Sequence, residues 1–228
     1  MVRSRGERSV LLELGGQLIW LLTPGLTLNP RALTVSLEGL SAREADPTAW
    51  LGATLQVGGD EVLLDGAEAW DPTWRGVTPA DVIRALPRPP VPLAAPLTAF
   101  VEGSRPLELR AVAELAPLVG LGGGSTPEGD DLLLGHPAAW HLRVERGEAP
   151  PLTALDELLR AGDRRTHPVS ACMLTDATAD RYPEALADLL DALCGRRALQ
   201  PALDALRRLG ASSGRAMEWG VYLGLRRD

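Results

Sequence analysis

The run Gly120-Leu121-Gly122-Gly123-Gly124-Ser125-Thr126-Pro127-Glu128-Gly129-Asp130-Asp131 constrains this chain more than any other segment. Its glycines free the backbone for positive φ and for close approach by another group. Thr126 is a favoured N-cap, and Pro127 suits the first helical position, where no amide donor is needed. An apolar segment precedes the run, and Leu132, Leu133, Leu134, Ala138, Ala139 and Trp140 follow it. The stretch therefore reads as a tight loop that opens a helix. Free amides and the positive end of the helix dipole suit such a loop to an anion. It is neither a Walker loop nor a dinucleotide fingerprint: the spacing differs, and the chain contains no lysine.

Length and composition narrow the classes. A chain of 228 residues, 45% apolar and 23% charged, can bury one large core or two small ones. The net charge of −7 and the lack of a basic, aromatic-interleaved stripe argue against a nucleic-acid partner. All 23 basic residues are arginine, which excludes lysine Schiff-base chemistry and leaves Arg as the fixed cation. No apolar run approaches the roughly 18 residues of a membrane span, so no membrane contact and a cytoplasmic location are expected. Cys172 and Cys194 show no CxxC pairing and are expected to be buried free thiols.

The first third reads as β. Ser9–Leu14 and Gln17–Leu22 flank Gly15-Gly16, a hairpin signal, and 33–37 alternates. The runs 53–57 and 61–64 flank Gly58-Gly59-Asp60, a second hairpin. Short strands at this spacing predict a small barrel or sandwich, with Trp70 and Trp74 plugging one end. Thr78 to Asp81 caps a short predicted helix to about residue 86, and a Pro-rich connector follows. Helical periodicity then covers 107–118, 127–144, 151–161, 168–179, 183–193, 198–209 and 215–225. The expected fold is α+β: a β-barrel-like domain over 1–77, a connector over 78–96 and a helical domain over 97–228.

Two further helix starts resemble the first. Thr166 precedes His167-Pro168, with Arg164 and Arg165 beside it. Ser212 and Ser213 precede Gly214 and Arg215. Hydroxyl caps and unpaired amides at three starts could converge on one anion. Asp130 and Asp131 diverge by roughly 100° around a helix, so both cannot face one point. Asp130 lies nearer the start, where capping suffices, so Asp131 is the favoured chemical group. It could orient an amine, hold Mg²⁺ against a phosphate, or act as a base. His136 and His141 lack zinc spacing, leaving His167 as the one histidine to contact a ligand. Asp176 and Asp180 read as a solvated face beside Arg181.

Residues 118–135 resemble the glycine-rich signature of the domain-of-unknown-function 2877 family, which includes the small subunit of bacterial oxamate carbamoyltransferase. Arg165-Thr166 with Ser170, and Leu209-Gly210 with Ser213-Gly214, resemble its later motifs, and Trp70-Asp71-Pro72 resembles its N-terminal pattern. The resemblance implies a subunit that binds a small anion, carbamoyl phosphate or an oxamate-like acid, and works with other subunits or as a homo-oligomer. Gly122, Gly123 and Gly124 would supply amides, Ser125 and Thr126 hydroxyls, and Arg165 charge. Thr166, His167, Ser212, Ser213 and Gly214 would complete the binding set, with Asp130 or Asp131 catalytic. Mg²⁺ is the one cofactor left open. The alternative is a non-catalytic binding or assembly subunit. The chain departs from the signature at Gly123, Ser125, Glu128 and Pro137, and Ala211 stands where a histidine is usual.

Overall fold

The computed structural model describes residues 1–78, 81–102, 115–147, 157 and 165–226. The chain divides into two compact units, Met1–Pro72 and Thr73–Asp228.

In the first unit, β1 (Val2–Arg5), β2 (Ser9–Leu14), β3 (Gln17–Leu22) and β4 (Ala32–Thr34) form a sheet in chain order. The β2–β3 pairing runs from Ser9↔Leu22 to Leu14↔Gln17 around Gly15-Gly16. Both glycines have positive φ, 55° and 81°, as a primed two-residue turn requires. β4 joins β3 in parallel. A second, antiparallel sheet holds β5 (Thr48–Leu51), β6 (Thr54–Val57) and β7 (Asp60–Leu63). Alternate residues point inward: Val10 and Leu12 from β2, and Leu55 and Val57 from β6, meet Val2, Leu21, Leu37 and Leu40 in one core.

The chain is α+β as expected, but of the barrel or sandwich read from the strand spacing the closed barrel is not formed: the strands make two open sheets. Closure needs edge-to-edge pairing, and β4 is too short to supply much of it. Trp74 is no plug for this unit either. It packs into the helical core, and its Nε1 donates to Asp191 at 3.1 Å.

The helical unit contains α1 (Ala95–Glu102), α2 (Glu128–Glu145), α3 (Pro168–Ala177), α4 (Glu184–Leu193), α5 (Leu199–Arg207) and α6 (Ser213–Leu225) among the described residues. A 3-10 turn spans Ala116–Leu118. Most of the expected 107–118 helix, and nearly all of 151–161, lie outside the described residues. The short helix expected up to residue 86 is not formed over residues 81–86. There the Asp81 carboxylate is tied to Arg196, and the Arg84 amide donates to the Leu193 carbonyl at 2.8 Å. Those partners hold the segment extended along the unit.

α2 is buried on every side from Gly129 to Trp140. Its neighbour α6 approaches to backbone contact. A Cβ on Gly220 would stand 2.3 Å from the Leu132 carbonyl oxygen, and one on Gly135 would stand 2.2 Å from that of Met217. Only glycine fits at such distances, so these residues fix the α2–α6 crossing. Pro137 removes one internal amide donor, yet the helix continues through it to Glu145. α4 buries Leu186, Leu189, Leu190 and Leu193 on one stripe, as its periodicity predicts.

Candidate functional site

The loop before α2 is shaped by its glycines. Gly120, Gly122 and Gly124 have φ of 75°, 121° and 82°. A Cβ on Gly120 would lie 2.4 Å from the Arg165 carbonyl oxygen, so the loop abuts the entry to α3. Gly122, Gly123, Gly124 and Ser125 are exposed. The amides of residues 122–126 donate to no described residue.

The helix start differs from expectation. Pro127, not Thr126, is the N-cap residue, and α2 begins at Glu128. The Gly129 amide donates to Leu121 at 2.9 Å, and those of Asp130 and Asp131 donate to the Pro127 carbonyl at 3.0 and 3.1 Å. The amides without a described acceptor thus run from the loop only as far as Glu128, the first residue of the helix. Thr126 instead reaches across, its hydroxyl 2.9 Å from that of Ser213 at the start of α6.

Asp130, 1% exposed, is a structural hub. Its Oδ1 accepts from the Gly120 amide at 2.9 Å. Its Oδ2 accepts from the Ser170 hydroxyl at 2.7 Å and from the Thr166 hydroxyl. This carboxylate binds the loop, the entry to α3 and α3 itself to α2. Thr166 is consequently not the cap of α3. His167 is, with Nδ1 accepting from the Val169 amide at 3.2 Å.

Asp131 is 2% exposed and differently placed. Ser213 bonds its carboxyl, but Oδ2 is buried with no hydrogen-bond partner. Burial, reinforced by the charges of Asp130 and Glu128, pushes this carboxyl up to about 8 against the pull of Ser213. A carboxyl titrating there is mostly protonated at neutral pH, so Oδ2 can carry a proton to donate.

The starts of α2, α3 and α6 are therefore linked through Asp130, Thr166, Ser170, Thr126, Asp131 and Ser213. Ser212 precedes α6 with no side-chain cap bond, and Gly214, on which a Cβ would meet the Leu206 carbonyl oxygen at 1.7 Å, seats α6 against α5. Arg165 is exposed, and its Nη1 donates to the Ala116 carbonyl at 3.4 Å.

Other polar groups missed by periodicity lie elsewhere. Glu218, 1% exposed, takes two bonds from Arg207 at 2.8 and 2.5 Å. Asp176 is buried rather than solvated. Asp180, its side chain half exposed, pairs with His141 at 3.2 Å and accepts from Tyr182 at 3.3 Å, so of the expected solvated face only Asp180 remains at the surface. No group of three metal-ligating side chains occurs among the described residues. Cys172 is half-buried and Cys194 buried, both free. No described helix is long and apolar enough to cross a membrane.

Residues 118–225 match the family model described as oxamate carbamoyltransferase subunit AllH. This stretch holds the loop, all three linked helix starts and α6, and the matching family is the one its glycine-rich motif resembles. No curated protein and no solved structure matches the chain.

Proposed function

We propose that this chain, whose residues 118–225 match the AllH family, serves as a subunit of an oxamate carbamoyltransferase-type enzyme. In this reading the 122–126 loop holds a small oxyanion, carbamoyl phosphate or an oxamate-like acid. The observation that carries it is the buried, unpartnered Oδ2 of Asp131 beside the Thr126–Ser213 contact.

The chemistry follows from charge. Glu128, Asp130 and Asp131 crowd one helical turn, and three ionised carboxylates would repel an anion. The helix terminus offsets only about half a charge. Asp130 is compensated by three donors. Asp131, titrating near 8, offers a hydrogen bond instead of a charge. The loop amides, the exposed Ser125 hydroxyl and the Arg165 guanidinium would supply the remaining donors. Charge-assisted bonds of this kind contribute about 1.5–3 kcal/mol each.

Calorimetric titration with carbamoyl phosphate, oxamate and phosphate, with and without Mg²⁺, tests the reading. Binding of carbamoyl phosphate or oxamate, weakened at least tenfold by Asp131→Ala, is expected. Absence of binding by all three, or affinity unmoved by that substitution, refutes it.

A second reading, a binding or assembly subunit, has its own support. Leu51 and Leu63 flank Thr54 in one row across β5–β6–β7, and they are 55% and 72% exposed. Such apolar residues on an outer sheet face suit a partner protein. The two readings are compatible within a multi-subunit enzyme.

A further inference from the structure

We propose that the helical unit carries a second, unassigned anion site, a groove lined by Ile83, Arg84, Leu86, Arg143, Tyr222 and Arg226 that takes an organic phosphate of about nucleoside size. It does not rest on the loop reading. Arg143 lies in the last turn of α2, twelve residues beyond Asp131, which is roughly 18 Å along the helix.

The groove has a volume of about 490 Å³, within the usual range for small-molecule clefts. Its arginines are unequally engaged. Arg84 is exposed and its guanidinium has no described partner, while its backbone amide is fixed on Leu193. Arg143 lies over the Trp140 ring at 4.5 Å, and its Nη1 donates to the Arg226 carbonyl at 3.3 Å. Its Nε is buried with no hydrogen-bond partner. These contacts hold the guanidinium in place without using up its donors.

The ordinary role of such arginines is to answer helix C-termini, and α2 and α6 both end here. Each terminus contributes about half a negative charge. Three guanidiniums line the groove, and no carboxylate does so among the described residues. Arg84 and Arg143 alone therefore leave about one positive charge once the two helix ends are answered, on a chain of net charge −7. A planar guanidinium fork matches phosphate oxygens bidentately. Ile83, Leu86, Tyr222 and Leu225 form an apolar wall beside it, so an organic body gains contact area that inorganic phosphate lacks.

Titration calorimetry on the whole chain at low salt, with AMP, phenyl phosphate and inorganic phosphate, tests this. One of the two organic phosphates is expected to bind at least tenfold tighter than inorganic phosphate. Arg84→Ala should weaken it at least tenfold with an unchanged melting temperature, since that side chain is exposed. Arg143→Gln should weaken it similarly, and Asp131→Ala should leave it intact. Failure of both organic phosphates to bind overturns the proposal. So does affinity unchanged in Arg84→Ala, or lost in Asp131→Ala, which would place the ligand at the glycine loop.

Discussion

Replacing Asp131 by Asn should stabilise the protein at neutral pH and destabilise it in acid. In the unfolded chain this carboxyl titrates near the ordinary value of about 3.9. In the folded protein burial raises it to about 8. Between those values the native state holds a proton that the unfolded state has released, so stability falls as pH rises. The slope is about 1.4 kcal/mol per pH unit. At pH 7 the accumulated loss is up to about 4 kcal/mol, an upper bound, because relaxation and water entry soften burial. Asn is never ionised and escapes this loss. Its amide nitrogen, however, takes the place of the unpartnered Oδ2 or of the oxygen that Ser213 bonds, at about 1–3 kcal/mol. The variant should therefore be less stable than wild type at pH 4, cross it near pH 5–6, and exceed it by about 1–3 kcal/mol at pH 7. Above pH 8 the difference should level off. Urea unfolding from pH 4 to pH 9 reads this directly. A variant less stable by a constant amount at every pH would refute the argument, because Asp131 would then titrate in the folded protein as it does in the unfolded chain.

Asp130→Ala removes the acceptor of the Gly120 amide and the Thr166 and Ser170 hydroxyls, and should cost at least about 3 kcal/mol in denaturant unfolding. Gly220→Ala drives a methyl to within 2.3 Å of the Leu132 carbonyl oxygen, so a melting-temperature loss equivalent to about 3 kcal/mol is expected, whereas Gly123→Ala, with nothing within 4 Å, should be near neutral. Glu128→Ser removes a charge that raises the Asp131 carboxyl, so the pH at which stability levels off should move down, and carbamoyl phosphate should bind more tightly in calorimetry.

Some of this was legible in the sequence. The Gly15-Gly16 hairpin was found to the residue, because two glycines between alternating runs leave one turn geometry. β1 and β5 were not found. β1 exposes three of its four residues, and β5 is short with two exposed, so neither alternates clearly. The helices from α3 onward were found within a few residues because their apolar stripes repeat. Their capping was less legible. A hydroxyl before proline reads as a cap, yet Thr126 and Thr166 both spend their hydroxyls on tertiary partners. The two carboxylates of the motif were separable by angle, but apart from the nearby Gly120 amide the partners that set their roles lie in other elements: Thr166 and Ser170, 36 and 40 residues from Asp130, and Ser213 of α6 beside Asp131.

Those distant partners meet because glycine is placed where α2 and α6 must touch. A helix buried on all sides offers no polar face, so its charged residues can sit only at its ends. Gly129 admits the Leu118 carbonyl, and Gly135 and Gly220 admit the crossing, which draws the first residues of α6 onto the first turn of α2. Ser213 then falls beside Asp131, while Gly120 brings Arg165 and Thr166 to the other side, onto Asp130. The same approach that seats these helices strips water from both carboxylates. One is repaid with three donors and stays a fixed strut. The other keeps one oxygen unmatched, and burial holds its proton on at neutral pH. The difference between adjacent aspartates is thus a consequence of helix packing, and any change that loosens the α2–α6 crossing should erase it.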